Sequence, residues 1–486
     1  MDNSEKKRVV KNIAWLTISK IIVLILSIIT ITVIPRYLGV EAYGQLNFAI
    51  AFVSLFSVFC DMGLSTLALR DVSKDPEKLN KYFNCFLPLI LILNLIVFII
   101  ICLCLFFLGK SPIVNAVIIL QALTLVVNAL AGHFLRYTDA LQKMKYNSVY
   151  SVISKSSIVL FMYLMIFLNL HLIGIAWVYL LSSVVAGIYV FFIIKKYVKI
   201  SFKPLKQNIK YALQKTKIAW PFALSGLFGA IYFNSDKFLI SLFINDYQVG
   251  LYSVAYSFIG FLLGILTIFF TAFFPVISKY AKTNLLDSIA SKFSKIIYLL
   301  AIPMCFGGIF YAKDIIRLVY GKEFVAGYIS FQIIMIFFLF CAIDTFLGQI
   351  ITAYNKQKYQ FKLILIAAIT NVVLNLLFIP KWGIIGAAIT TVIAELIIFI
   401  GLYTYIKKHK FLKQNIFKQA IIPVIGSAIM IVCLYFINKY WLLNLGSFTV
   451  LVWIGIGAII YGTIILLTKY ITKKDILFVK ETLLKR

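Results

Sequence analysis

The chain of 486 residues is 62% hydrophobic and only 13% charged, yet it carries a formal net charge of +30. In a soluble protein such a charge would suggest nucleic-acid binding, but no polar stretch between the apolar runs is long enough for a soluble domain. The composition therefore argues against a nucleic-acid partner and predicts a membrane protein with many crossings.

Fourteen apolar runs follow one another along the chain, and each reaches about the 20 residues that a helix needs to cross a bilayer. Their approximate bounds are 12–34, 44–67, 83–107, 112–133, 148–170, 172–194, 216–243, 249–275, 293–312, 327–349, 359–379, 383–406, 417–437 and 446–468. The first run is too long for a signal peptide and lacks a small-residue cleavage site, so we expect an uncleaved helix. The pattern predicts an all-α polytopic membrane protein.

Lysine and arginine alternate between rich and poor loops along these runs. The rich segments are residues 6–11, 70–81, 136–145, 195–217, 279–295, 356–362, 407–418 and 469–486. Short loops that are rich in Lys and Arg stay in the cytoplasm. We therefore expect an even number of crossings, with both termini in the cytoplasm.

The seven cysteines all fall in apolar runs and contain no C-x-x-C pair. This arrangement favours small buried side chains over a disulfide framework or a metal site. The three histidines lack metal-ligand spacing, and the triplet at Gly109 lacks the earlier glycine of a phosphate-binding loop. The sequence predicts no metal and no cofactor.

The chain contains a weak internal repeat. Residues 143–146 match 356–359, residues 173–176 match 385–388, and residues 44–49 match 250–255, at offsets of 213, 212 and 206. Repeats of six helices predict parallel copies related by an axis along the membrane normal. The predicted division is a bundle at 1–195, a basic cytoplasmic linker at 196–217, a second bundle at 218–410, and two extra helices with a tail at 411–486. Two facing bundles suit a transporter that works by alternating access.

Several charged residues fall inside apolar runs. A charge near the middle of the bilayer costs about 2.5–3.5 kcal/mol, so it usually faces water or a partner. Lys20 and Lys155 each share a helix face with hydroxyl side chains, and Glu395 lies near the middle of its run. The other intramembrane candidates are Asp61, Asp236, Lys237 and Asp344, and the repeat places His133 next to the counterpart of Asp344.

Several of these charges also have a purely structural explanation, and Glu395 is the hardest to explain in that way. Lys20 could extend to the cytoplasmic surface, and Asp236 and Asp344 could lie at helix ends in interfacial water. Asp61 could pair with Arg70. Outside the runs, Arg36 and Glu41 could form a loop ion pair.

Two segments carry a family resemblance. The first is Pro35-Arg36-Tyr37-Leu38-Gly39 with Tyr43-Gly44-Gln45-Leu46, followed by Asp61-Met62-Gly63-Leu64; the second is Asp236-Lys237-Phe238-Leu239-Ile240 with Val249-Gly250-Leu251-Tyr252. Together with the length, the basic linker and the fourteen runs, they resemble the polysaccharide-biosynthesis flippases of the multidrug/oligosaccharidyl-lipid/polysaccharide exporter superfamily.

The resemblance implies a flippase that moves an undecaprenyl-diphosphate-linked oligosaccharide from the cytoplasmic to the outer leaflet of a bacterial cytoplasmic membrane. The product would serve O-antigen, capsule or exopolysaccharide synthesis, with the lipid bilayer and a glycan polymerase as further partners. Lys20, Arg36, Lys155 and Lys237 are the candidates for substrate binding. Glu395, Asp61, Asp344 and Asp236 are the candidates for coupling to H⁺ or Na⁺.

Three alternatives remain open at this point. A cation-coupled multidrug exporter of the same superfamily would use an acidic, apolar cavity. A peptidoglycan-precursor flippase is also compatible with fourteen crossings. A membrane-embedded polymerase or ligase would be expected to carry a long outward loop and clustered carboxylates or histidines at a membrane face, and the sequence shows neither.

The alternation of basic loops predicts topology directly. Reporter fusions after Lys196 and Lys410 should report the cytoplasm, and fusions near Lys110 and Lys381 should report the outside. Paired phosphatase and fluorescent-protein fusions measure this. A cytoplasmic signal at Lys110 would contradict both the alternation and the fourteen crossings.

Overall fold

The computed structural model describes residues 3–201, 204–440, 449–472 and 475. All regular structure within those residues is helical, and eleven of their helices are long and apolar enough to cross a membrane. The chain divides into two compact units, residues 1–250 and 251–486. The predicted all-α polytopic fold is therefore confirmed. The basic tail beyond Lys469 and the start of the last apolar run lie largely outside the described residues.

The first unit holds seven helices and the start of an eighth. They are α1 (Asn3–Leu55), α2 (Leu64–Lys74), α3 (Lys78–Leu108), α4 (Pro112–Ala140), α5 (Lys145–Phe167), α6 (His171–Ile194), α7 (Leu205–Phe243) and the first turn of α8 (Asp246–Tyr280). A short 3₁₀ turn, Ser57–Cys60, separates α1 from α2. Helix α7 belongs to this unit because it packs against α1 and α3. The division at residues 217 and 218 stays a prediction.

The second unit continues α8 and adds six helices. They are α9 (Leu285–Phe310), α10 (Ala312–Val319), α11 (Tyr328–Ala353), α12 (Gln357–Lys408), α13 (Ile421–Tyr440) and α14 (Thr449–Leu467), with 3₁₀ turns at Lys322–Gly327 and Ile416–Ala420. The two C-terminal helices, which the repeat leaves out, pack together, and α13 packs on α9. Tyr461 of α14 donates a hydrogen bond to the Leu299 carbonyl of α9 at 3.1 Å.

Two of the long helices are interrupted by a single glycine. Gly39 in α1 has φ 73° and ψ 178°, and Gly383 in α12 has φ 59° and ψ −138°. Residues with a side chain rarely adopt these angles. Each interrupted helix corresponds to two predicted apolar runs. When the two halves of α1 and of α12 are counted separately, the eleven membrane-capable helices become thirteen spans. Helix α7, which is not among the eleven, corresponds to the remaining run.

The second apolar run does not continue as one helix to residue 67. Helix α1 ends at Leu55, and α2 begins only at Leu64. The break lies at Met62 and Gly63, which both have positive φ, and a β-carbon on Gly63 would lie 2.6 Å from the Ala219 carbonyl oxygen. The prediction of a continuous run over 44–67 is therefore wrong in its second half, because the close approach of α7 imposes a left-handed turn.

Loops of the first unit alternate between its two ends. At one end, the backbone NH of His171, at the start of α6, donates to the Tyr37 hydroxyl near the α1 interruption at 3.1 Å. At the other end, Asn84 of α3 accepts a hydrogen bond from the Ser201 NH and donates one to the Lys199 carbonyl. These bonds hold the start of the basic linker against α3. The grouping agrees with the alternation of basic loops, while the side that faces the cytoplasm stays a prediction.

Gly63→Ala should destabilise the protein by roughly 1–3 kcal/mol, because the substitution adds both a strained positive φ and a backbone collision. A melting curve in detergent, followed by fluorescence-detected size exclusion, measures the effect. Gly229→Ala in α7 is the matched control, because a β-carbon there meets nothing within 4 Å. Equal melting temperatures for the two variants would contradict the geometric explanation of the break.

Candidate functional site

Asp344 of α11, which is half-buried, and Glu395 of α12, which is buried, lie together in the second unit. Ligand atoms of Asp344, Glu395 and Cys341 all lie within 4.8 Å of one another. Glu395 is only 2% exposed, and the Thr345 hydroxyl lies 3.5 Å from an Asp344 carboxylate oxygen. Two neighbouring carboxylates repel each other, so a proton or a metal cation shared between them lowers their free energy. Among the described residues, these three side chains are placed so that they could hold a cation.

A group of hydroxyls lies one helical turn from this acid pair. The Thr391 hydroxyl lies 3.2 Å from the Tyr252 hydroxyl and accepts a hydrogen bond from Tyr256 at 3.5 Å. Thr391 also donates to the carbonyl of Ala387 at 2.8 Å. The turn that precedes Glu395 on α12 is thus hydrogen-bonded to α8, which fixes the position of the carboxylate.

The corresponding region of the first unit carries different chemistry. His133 of α4 is 1% exposed, and its Nδ1 lies 2.8 Å from the Ser65 hydroxyl. Its ring stacks against Phe83 and meets Tyr137 edge-on. The repeat offset of 212 residues places Ser183 opposite Glu395. The repeat-matched positions of the first unit therefore carry no such carboxyl pair.

The first unit contains the predicted intramembrane cations. Lys155 of α5 donates a hydrogen bond to the Thr30 hydroxyl of α1 at 2.7 Å. No carboxylate among the described residues forms a salt bridge with Lys155. Lys20 lies half-buried on α1, ten residues before Thr30. The structure thus brings Lys155 onto the helix that carries Lys20, with a neutral hydroxyl as its partner.

The remaining predicted site residues lie elsewhere in the first unit. Arg36 is exposed just before the interruption of α1, Asp236 is buried at 1% exposure in α7, and Lys237 beside it is half-buried. Asp61 accepts hydrogen bonds from the backbone NH groups of Gly63 and Ser65 at 3.0 and 3.3 Å, which caps the start of α2. This capping gives Asp61 a structural use, and its part in ion coupling stays a prediction.

Sequence reasoning did not single out one partly buried ion pair. Lys110, between α3 and α4, lies 2.8 Å from the Asp246 carboxylate in the first turn of α8 and 2.7 Å from the Ser241 hydroxyl. Its ammonium also lies 4.4 Å from the centre of the Phe48 ring. Lys110 precedes α4 and Asp246 begins α8, 136 residues further along the chain, so no local sequence pattern indicates that they meet.

The predicted resemblance can be checked against known proteins. Residues 9–281 match the family described as "Polysaccharide biosynthesis protein", and residues 156–455 match the family described as "Lipid II flippase MurJ". Each match spans more than half of the chain. The chain belongs to the polysaccharide-biosynthesis flippases of the multidrug/oligosaccharidyl-lipid/polysaccharide exporter superfamily. It is accordingly a transporter and not an enzyme.

Individual relatives agree with this family. The chain is 23% identical over 413 residues to the capsular polysaccharide biosynthesis protein CapF of Staphylococcus aureus, which covers 82% of this chain and 99% of the relative. It is 25% identical over 195 residues to the probable low-salt glycan biosynthesis flippase Agl15 of Haloferax volcanii. This alignment covers 40% of this chain and 41% of the relative. A putative O-antigen transporter of Shigella dysenteriae is 22% identical over 380 residues, covering 76% and 93%.

Solved structures support the same fold. Lipid II flippase MurJ in an inward closed conformation superposes with a TM-score of 0.78 at 19% identity, covering 92% of this chain and 97% of that one. An inward-facing multidrug resistance MATE family transporter gives a TM-score of 0.58 at 14% identity. The superposition covers 80% of this chain and 100% of that one. At these identities the likeness shows the fold alone.

Proposed function

We propose that this flippase moves an undecaprenyl-diphosphate-linked oligosaccharide from the cytoplasmic to the outer leaflet of a bacterial cytoplasmic membrane, coupled to an ion. The observation that carries the proposal is the Lys155 ammonium, held inside the membrane by a neutral hydroxyl at 2.7 Å. The family supplies the transport of lipid-linked glycans. The substrate, the direction and the coupling are the proposed parts.

A diphosphate cannot cross hydrocarbon unaided, since the cost of desolvating its charges is prohibitive. A positive partner along its route lowers that cost. Lys155 suits this role because its charge is not neutralised by a carboxylate among the described residues. An intramembrane cation without an acidic partner is typical of a substrate pathway.

The positive groups near α1 are spaced along the axis of the helix. At a rise of about 1.5 Å per residue, Thr30 with its bound Lys155 lies about 15 Å beyond Lys20, and Arg36 lies about 9 Å further. An anionic head group would therefore meet a cation at successive depths as it moves along α1. This spacing supports a route along the first unit.

The lipid part of the substrate needs an apolar environment. The second unit contains a cavity of about 650 Å³ among α8, α9, α10, α13 and α14, lined for example by Pro303, Met304, Trp453 and Ile465. Part of an isoprenoid chain would fill such a space with a favourable transfer of roughly 0.8 kcal/mol per methylene. The cavity supports a lipid-linked substrate over a water-soluble one.

Ion coupling is assigned to Asp344 and Glu395. The repeat-equivalent region of the first unit folds with His133 and Ser183, so the fold does not require a pair of acids. A pair that costs insertion free energy and that the fold does not need is best explained by function. The pair would bind H⁺ or Na⁺ in one state of the transport cycle and release it in the other.

A peptidoglycan-precursor flippase is the second candidate, favoured by the match of residues 156–455 to the MurJ family. Both candidates carry a lipid-linked diphosphate, so the charge argument serves either. Complementation distinguishes the two candidates. The gene for this chain is expressed in a strain that lacks its peptidoglycan-precursor flippase and, separately, in a strain that lacks its glycan flippase. We expect rescue of surface glycan only.

Charge at Lys155 and Lys20 should control transport. Lys155→Arg and Lys20→Arg should keep much of the activity, whereas Lys155→Met and Lys20→Ala should lower it at least tenfold, with Lys20→Glu the most severe. Surface glycan and lipid-linked glycan in the inner leaflet measure the effect at matched protein levels. Lys313→Met, in a short loop helix, is the control. Full activity of Lys155→Met and Lys20→Ala would contradict a role for these two cations.

Glu395→Gln should impair transport without loss of folding. The amide keeps the size of the side chain but cannot carry a proton or balance a buried cation, while removal of one buried carboxylate should not lower the melting temperature. Transport and melting temperature are measured on the same preparation. Normal surface glycan with Glu395→Gln would remove this residue from the coupling site, and a large fall in melting temperature would assign it a structural role.

A further inference from the structure

Helices α1 and α8 cross in close contact at two glycines of the first unit. A β-carbon on Gly44 would lie 1.7 Å from the Asp246 carbonyl oxygen and 2.8 Å from the Gly250 nitrogen. A β-carbon on Gly250 would lie 2.0 Å from the Val40 carbonyl oxygen. Neither position can hold any other residue while the crossing is closed.

The contact is reciprocal under the internal repeat. Gly44 and Gly250 begin the matched segments 44–49 and 250–255. Each glycine meets the carbonyl four residues before the other one, Asp246 in one direction and Val40 in the other. The two glycines therefore make equivalent contacts at this crossing.

An ion pair involves only one of the two equivalent positions, Asp246, and not Val40. Asp246 binds the Lys110 ammonium at 2.8 Å, and the two side chains are only 11% and 16% exposed. Ser241 donates a short hydrogen bond to the same carboxylate, and Phe48, four residues after Gly44, lies under the ammonium. The repeat places Val40 opposite Asp246, so the fastening has no counterpart on the other side.

The position of Asp246 links this contact to the rest of the chain. It lies in the first turn of α8, which continues to Tyr280 and so runs from the first compact unit into the second. The Lys110 ammonium contacts Phe48 of α1 while it binds Asp246 of α8, so separation of the two helices at Gly44 would pull on this ion pair. Charges that separate into water recover their hydration, so such a pair can open at modest cost.

We infer that Lys110 and Asp246 form a releasable latch that holds the Gly44–Gly250 crossing closed, and that loss of the latch shifts the protein towards a state in which α1 and α8 are apart at this end. The sequence assigns this end to the outside of the membrane. The inference rests on the proposed transport function only for its use in the cycle. The latch itself is a property of the chain and can be measured without substrate.

The test uses purified full-length protein in lipid nanodiscs. All seven natural cysteines are replaced, and Val40→Cys reports the crossing, because Val40 is 5% exposed and its carbonyl faces Gly250. The rate of reaction with a hydrophilic maleimide is the readout. Ala68→Cys, buried in the core of α2, reports general loosening of the fold.

The double variant Lys110→Met/Asp246→Asn removes both charges and leaves no buried ion unpaired. We expect it to raise Val40→Cys labelling at least fivefold with Ala68→Cys unchanged. The exchanged variant Lys110→Asp/Asp246→Lys should restore slow labelling. Gly250→Ala should also raise labelling, whereas Gly260→Ala, where a β-carbon meets nothing within 4 Å, should not.

Three outcomes would overturn the latch. The first is unchanged Val40→Cys labelling in the double neutral variant. The second is an increase that the exchanged variant does not reverse, and the third is a parallel increase at Ala68→Cys. None of these readings depends on the substrate, so a failed latch and a failed assignment of the transported lipid are distinguished.

Discussion

The cost of placing charge in hydrocarbon is the constraint on which the rest of this structure depends. Every helix must satisfy its own backbone in lipid, so a charged side chain there needs water, a partner or a use. Lys155 is held by a hydroxyl, and Asp344 and Glu395 lie against each other. The few charges that the chain retains inside its helices are therefore confined to a small number of places, which is where function is to be sought.

Lys20 and Lys155 lie in a different half from the adjacent acids, although the first unit also contains the acids Asp61 and Asp236. The first unit contains the lysines near α1, whereas the second contains the adjacent acids of α11 and α12. Repeat-equivalent positions carry other residues, as His133 and Ser183 show. Under the proposed function, the lysines near α1 would attract the anionic head group and the acid pair would bind the coupling ion.

The sequence predicted the parts of the fold that follow from local composition. Apolar length and basic loops identify crossings because lipid permits few other solutions. The break near Met62 was missed, since the run is largely apolar on both sides of it and only Asp61 and Gly63 indicate a capped turn. The pairing of Asp344 with Glu395 was not predictable, because the two residues lie on different helices and one sequence carries no contact information. The proximity of Cys341 to the acid pair was also not predicted, because all seven cysteines lie in apolar runs and were interpreted as ordinary apolar side chains.

The reciprocal crossing at Gly44 and Gly250 also bears on ancestry. A surface that meets its own equivalent across a twofold axis is an isologous interface, the arrangement that two identical subunits adopt in a homodimer. A half-length ancestor pairing through this glycine would present the same face on both partners. If two such genes had fused, each copy would have been free to diverge, and Asp246, which the repeat matches with Val40, would be one such difference. A single-copy protein from this lineage would be expected to dimerise through the segment that corresponds to Val40–Phe48.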